Sequence, residues 1–411
     1  MARARSSFVV RRWRPGPFYD ADRDGGHTAW RARRTWASDA EAVLSFPHPE
    51  RFAGGPDGFA RLATRSWVYD AALVALWRVR EGNAAAAARL LDTLAALQRD
   101  DGAWGFSFAV EGDGFYNAAY VRTGTVAWVV YAFAKYQRHS RDTRFAGVLA
   151  GGVRWLLGQV DPRTGLVRAG QGRWLGPDRF EPDFVADFTA TEHVIDTWFA
   201  LRAAALADPA LQASLDLNRA ADQLAGAMEA RLWLAETQRY AQGAGTTHTD
   251  ARSALDAAGT WAALYALAQG RPARARALLA WVAVEHRIDV AGWTGLRPYA
   301  REAPDTWFVE GSLAAAMVTA RSGDAGAARA ALLPFVQLAC SGGVPLVYSP
   351  VWREDFPLTP AVAPTVWFLF AADEVVHRHG AWLWNERPPG GPAPQGVRGC
   401  RRQDPRLASD F

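Results

Sequence analysis

The chain has 411 residues, half of them apolar, 12% aromatic and 21% charged. That apolar fraction excludes a mostly disordered chain, and 46 basic against 42 acidic residues, a net charge of +4, lack the basic excess of a nucleic-acid binder. Two cysteines with no Cys-x-x-Cys spacing exclude a disulfide framework and a cysteine zinc site; Cys340 reads as an inert core thiol and Cys400 as part of a polar tail. The unusual feature is 19 tryptophans, indoles that fill a core or stack on flat ligands such as sugar rings or polyprenyl chains.

Residues 1–35 read as an irregular basic arm. The start has charge but no apolar run after it, unlike a secretory leader. The best apolar run, 124–134, is too short to cross a membrane and stops at Lys135. A soluble, cytoplasmic protein without a membrane span is the expectation.

From there to residue 385 the chain reads as one helical domain. Six segments repeat a pattern of a polar start followed by a strongly apolar helix with an early tryptophan. They begin at Ser66-Trp67, Arg122, Thr191-Glu192-His193, Leu255-Asp256, Asp305-Thr306-Trp307 and Pro364, and their tryptophans are Trp67, Trp128, Trp198, Trp261, Trp307 and Trp367. The spacing, roughly sixty residues, suits a pair of helices with two connections. Between them lie stretches with one apolar stripe and many arginines: 84–98, 143–159, 214–232, 271–284 and 325–340. A helix apolar nearly all round is buried, and one with a narrow stripe lies outside. Alternation of the two predicts an all-α, (α/α)6 barrel with short loop hairpins at one rim, residues 37–46 supplying the sixth outer helix. A superhelical solenoid is the alternative. The 165–188 connection is too long for a plain linker and reads as functional. Residues 386–411, rich in Pro and Gly, read as a disordered tail.

In such a barrel the N-terminal ends of the inner helices meet at one mouth. The acids expected there are Asp70, Glu192, Asp196 and Glu310 as catalytic groups. Arg122, His193, Trp198, Asp256, Arg297, Tyr299, Asp305 and Trp307 are expected to bind substrate. Glu192 and Asp196 are four apart, so they share a helix face. Thr189-Ala190-Thr191-Glu192 also fits a capping box, a purely structural use of Glu192. His193 reads equally as a satisfied rim histidine. Glu310, flanked by Trp, Phe and Val, would have its pKa raised by burial, as a general acid needs, unless Arg297 or Arg301 pairs with it. Asp305 could serve only as an N-cap. Asp70 lies in a nearly apolar run and needs a partner, for which Arg122 is the candidate.

Gln98-x3-Gly102-x-Trp104 resembles the QW motif of squalene–hopene cyclases and related α/α toroids, with a weaker echo at Gln159 and Gly165. Its physical role is structural: Gln satisfies backbone groups at a helix end, Gly makes the turn and Trp packs over it. Over residues 60–380 the sixfold spacing, Trp-rich inner starts, Asp101-Gly102-Ala103-Trp104 and the acids resemble the six-hairpin glycosidase superfamily. That resemblance implies an (α/α)6 barrel and a glycoside hydrolase acting on an oligo- or polysaccharide, in which one carboxyl group protonates the leaving oxygen and another attacks or activates water. No cofactor or metal is expected, and no phosphate-binding Gly loop is present. Three alternatives stay open. One is a polysaccharide lyase using Tyr299 or His193 with Arg122 and Arg297. The others are a terpenoid-cyclase-like enzyme, although Asp-x-Asp-Asp is absent, and a non-catalytic glycan-binding or assembly protein.

Overall fold

The computed structural model describes residues 10–12, 18–20, 28–30, 39–46, 64–110, 115–176, 179–245, 248–252, 254–290, 292–300, 306–339, 344–345, 347–348, 360–377 and 379–386. Helices dominate it. Their apolar faces form one contiguous core.

Six rods make the inner set: α1 (Val68–Arg80), α3 (Thr123–Ser140), α5 (Thr191–Ala207), a π-helical segment (Leu255–Thr260) running into α8 (Trp261–Ala268), α10 (Val309–Arg321) and α12 (Val362–Val375). Each packs on the next in that order, and α12 returns to pack on α1. Outside them lie α2 (Ala84–Ala96) against α1 and α3, and α4 (Ala146–Gly158) against α3 and α5. The short α6 (Pro209–Leu215) and α7 (Leu217–Arg231) cover α5, α9 (Pro272–Glu285) covers α8, and α11 (Ala325–Ala339) lies against α10 and α12. The apolar-stripe stretches read from the sequence correspond to α2, α4, α7, α9 and α11. The expected sixth outer helix at 37–46 is a correction: Glu41–Val43 is a strand, paired with Val10–Arg12 and packed on α2 and α1.

The chain is also less purely helical than expected. Phe18–Asp20 and Thr28–Trp30, within the segment read as irregular, join a five-stranded sheet with 115–116, 107–109 and 65–67. At the other end, Glu386 belongs to the folded core rather than to a tail. Its side chain is fully buried and pairs with Lys135 at 3.0 Å. Hairpins do form in the loops, the longest joining Gly170–Gly176 to Arg179–Val185.

The QW-like turn does the structural work its residues suggested. Gln98 Nε2 donates to the Gly102 and Val148 carbonyls (3.0 and 2.9 Å), and the buried Trp104 indole donates to the Leu94 carbonyl (2.6 Å). Gly102 has φ +96°, and a Cβ there would lie 2.3 Å from the Gly151 carbonyl oxygen, so only glycine fits.

How the inner helices begin governs the site. Their N-cap residues (Trp67, Arg122, Ala190, Ala254, Phe308 and Ala361) are all extended, and none makes a side-chain cap. The first helical amide finds a loop carbonyl instead: Val68 to Phe106, Thr123 to Ala169, Thr191 to Gln242, Leu255 to Pro298 and Val362 to Ser45, at 2.8 to 3.1 Å. Backbone pairing thus satisfies donors that side chains would otherwise have to cap. The polar residues of the first turn are released for other work.

Candidate active site

The second residue of the six inner rods is, in order, Tyr69, Gly124, Glu192, Asp256, Glu310 and Ala363. Three carboxyl groups therefore occupy one repeat position. The capping-box use of Glu192 is not realised: the N-cap is Ala190, and the hydroxyl groups of Thr189 and Thr191 donate to the Val167 and Ala241 carbonyls.

Glu192, about a third exposed (32%), hydrogen-bonds Asp256 and lies 3.2 Å from His193 Nε2. Burial opposes its charge, but His193, Asp256 and Arg122 outweigh that and hold its carboxyl below the ordinary range. Asp256 moves the other way. Burial, the Glu192 charge and their shared hydrogen bond push it well up. The pair therefore keeps one proton, on Asp256, which donates to the Glu192 carboxylate. The Ala257 amide donates to Asp256 Oδ1 at 2.7 Å and fixes its orientation. A π-helical turn carries Asp256, a local widening of the helix that recurs at functional sites.

One turn deeper, Asp196 is 4% exposed. Burial, then the Glu192 charge, raise its pKa well above the usual range, against a hydrogen bond from Trp128. Its Oδ1 and His193 Nδ1 are buried without hydrogen-bond partners among the described residues. Gly124 makes room for both side chains: a Cβ there would sit 2.5 Å from His193 Cδ2 and 2.7 Å from Asp196 Oδ2.

On α10, the rod that packs against that of Asp256, Glu310 is 5% exposed. Burial, then the Asp70 charge, raise its pKa to about 8, although the Tyr69 hydroxyl donates to its Oε2 at 3.0 Å. The Trp367 indole donates in turn to Tyr69 Oη (2.8 Å). Asp70, buried behind this pair, is pushed up to about 7 by desolvation against a Ser45 hydrogen bond. Its partner is thus Ser45 and not Arg122, whose Nη2 donates to Tyr120 Oη at 2.5 Å.

Below the acids the ring is filled. Trp128, Trp261, Trp367 and Trp384 pack with ring centroids 5.0 to 6.4 Å apart. Beside Glu192 and Asp256 a cavity of about 160 Å³ opens, lined also by Gln242, Pro298, Tyr299 and Phe308. Among the described residues no group of three His, Cys, Asp or Glu side chains could hold a metal ion, and no helix is long and apolar enough to cross a membrane.

The sequence matches no protein-family profile and no curated protein. Solved structures do match. A glycosidase variant in complex with glucose superposes with a TM-score of 0.56 at 15% identity, over 82% of this chain and 91% of that one. A D-mannose isomerase gives 0.55 at 12% identity, over 77% and 88%. The GH76 alpha-mannanase of Bacteroides thetaiotaomicron gives 0.54 at 10% identity, over 77% and 89%. The chain has a six-hairpin glycosidase-like fold.

In this fold Glu192, His193, Asp196 and Asp256 come together, with Glu310 on the rod that packs against that of Asp256 and Asp70 beside Glu310. Arg122 lies close enough to Glu192 to favour its charge, and Tyr299, 41% exposed, stands at the cavity mouth. Two expected substrate contacts are corrected. Trp198 is fully buried against Phe199 and Tyr265, and Trp307 is buried on Phe335 with its indole donating to Ser312 (2.8 Å). Both are core residues that no ligand reaches. Arg297 does not serve Glu310, whose partner is Tyr69; its Nη2 donates to the Arg287 carbonyl at 3.4 Å, and its Nε is buried. Asp305 and Arg301 lie outside the described residues. Tyr69 was missed. Its signal was available: Trp67-Val68-Tyr69 places it at the repeat position of the acids, once the helix starts rather than the tryptophans are aligned.

Proposed function

We propose that the protein is a glycoside hydrolase, an (α/α)6 toroid in which Glu310 is the general acid and Glu192 the base or nucleophile. The ring of packed inner rods, closed between α12 and α1, supports the toroid. The observation that carries the chemistry is the opposite tuning of equivalent carboxyl groups. Glu192 is held ionised, while Glu310, at about 8, keeps its proton at neutral pH. Glycosidic cleavage needs that division: a neutral acid protonates the leaving oxygen, and a carboxylate attacks the anomeric carbon or deprotonates water.

Asp256 is too close to Glu192 to be the opposing group. Hydrogen-bonded carboxyls leave no room for a sugar between them, whereas the two catalytic groups of a glycosidase stand roughly 5 to 9.5 Å apart. Its role is to donate to Glu192 and keep the negative charge there. Asp196, neutral by the same reasoning, lies behind the pair, where an enclosed water would satisfy its buried Oδ1 and His193 Nδ1. Arg122 and Tyr299 would bind the oligo- or polysaccharide at the mouth. The reading takes residues 36–385, together with the strands at 10–12, 18–20 and 28–30 and with Glu386, as one domain, acting in the cytoplasm without a cofactor.

A second reading is sugar isomerisation or epimerisation, the activities named for two fold neighbours. His193, with Nε2 on Glu192 and Nδ1 unpartnered, favours it as a base for proton transfer. A screen on diverse oligosaccharides, reading reducing-end release, unsaturated-product absorbance and monosaccharide interconversion, separates the readings. Hydrolysis predicts new reducing ends without unsaturated product. Glu192→Gln and Glu310→Gln should lower the rate by about 10²- to 10⁴-fold and Asp196→Asn by less. Interconversion without new reducing ends would replace the hydrolase reading.

A further inference from the structure

A second, larger cavity of about 340 Å³ lies outside the acid basin. Its walls are residues 161–168, the segment 187–189, the C-terminal end of α7 and the described residues of 244–249. The charged groups lining it are Arg168, Arg231, His248, Asp161 and Asp187. Asp161 is already committed: Arg163 grips it through Nε (3.1 Å), Nη2 (2.8 Å) and its backbone amide (2.9 Å). Asp187 also lies within electrostatic reach of Arg163. No salt bridge engages either remaining guanidinium among the described residues, although Arg168 lies within electrostatic reach of Asp161, and the Arg231 guanidinium makes one hydrogen bond, from Nη2 to the Arg163 carbonyl (3.0 Å). Phe188, 42% exposed, presents an aromatic ring at the same cavity.

We propose that this cavity is a subsite for an acidic sugar, in which Arg168 and Arg231 take the carboxylate and Phe188 stacks on the ring. Guanidinium groups match a carboxylate in bidentate geometry, and an aromatic face beside them selects a sugar over a free anion. The cavity adjoins the basin through a single strand pair, Thr189–Ala190 against Gly243–Ala244. Thr189 and Ala244 line the larger cavity, and Ala190 with Gln242 lines the smaller one. A glycan with its acidic residue on the arginines would cross that pair and reach Glu192, the second residue of α5. This deepens the hydrolase reading and, as to the path of the chain, rests on it: the substrate would be a uronate-containing glycan.

Calorimetric titration of the full chain with trigalacturonic acid, galactotriose and inorganic phosphate tests the subsite. Trigalacturonate should bind more tightly than either of the others, and 0.5 M salt should weaken it. Arg168→Gln/Arg231→Gln should cost about tenfold or more in its affinity while leaving galactotriose unchanged. Both arginines lie at a cavity surface, and circular dichroism checks that the variant is folded. Equal binding by wild type and variant, or no binding at all, overturns the proposal. So does galactotriose binding as tightly as the acid, and phosphate binding as tightly would reduce the site to one for free oxyanions. Glu310→Gln should keep the arginine-dependent binding. If that binding occurs and wild type cleaves no glycan, the subsite stands and the hydrolase reading falls.

Discussion

Replacing Asp70 by Asn tests the electrostatics of the basin without knowledge of the substrate. Asp70 is 8% exposed in the first turn of α1, held by Ser45 and beside Glu310. Burial raises its carboxyl to about 7, against about 3.9 in an unfolded chain. A raised acid pKa means that the folded state binds the proton more tightly. Its contribution is therefore complete below about pH 4 and is lost as pH rises to about 7. At 1.36 kcal/mol per unit, the loss between pH 5 and pH 8 is about 3 kcal/mol, a large share of the ~5 to 15 kcal/mol that typically holds a domain folded. Asn has nearly the same shape and cannot ionise. Urea unfolding at pH 5, 6, 7 and 8 should show the variant gaining on wild type by up to about 3 kcal/mol across the series, with the gain complete near pH 7 to 8. A difference between the two proteins that does not change with pH would refute the reasoning, because the group would then be ionised or solvated in the native state.

Three further substitutions probe the supporting structure. Tyr69→Phe removes the hydrogen bond that favours the Glu310 carboxylate, so the alkaline limb of the pH–rate profile should move up by about one unit from about 8. Gly124→Ala should destabilise by about 1 to 3 kcal/mol and lower kcat/KM, because its methyl group meets His193 and Asp196; in an exposed helix the same change would stabilise. Lys135→Met should cost about 3 to 5 kcal/mol in chemical unfolding by leaving the Glu386 charge buried without its partner, and adding Glu386→Gln should recover part of it.

Local and periodic features were legible in the sequence. The outer helices declared themselves by one apolar stripe, and the Gln98–Trp104 turn by contacts within a few residues and one neighbouring helix. The sixfold repeat was visible too, but its register was misplaced by aligning tryptophans. Trp67 and Trp307 precede their helices, whereas Trp128, Trp198, Trp261 and Trp367 lie within theirs. A large indole marks where the core has space, and that space differs from repeat to repeat. The repeat position that matters is the second helical residue, freed by loop carbonyls that no local pattern reveals. The floor was hidden for a similar reason. Trp384 comes from beside a Pro/Gly-rich end, yet stacks on Trp128 and Phe199 in the middle of the ring. Its segment is anchored by the Lys135–Glu386 pair, a contact between residues far apart in the chain. Of the acids, Glu310 could be singled out because its flanks are uniformly apolar. The coupling that leaves Glu192 charged and Asp256 protonated depends on two helices meeting and has no signature in either segment alone.

The central claim, that Glu310 donates the proton to the departing oxygen, is tested most directly by comparing kcat/KM of wild type and Glu310→Gln on two glycosides of the same sugar. One carries a nitrophenolate-type leaving group that needs no proton, and the other an ordinary sugar hydroxyl. The account predicts a loss of about 10²- to 10⁴-fold on the second substrate and a much smaller one on the first. Equal losses on both, or no loss on either, would contradict it.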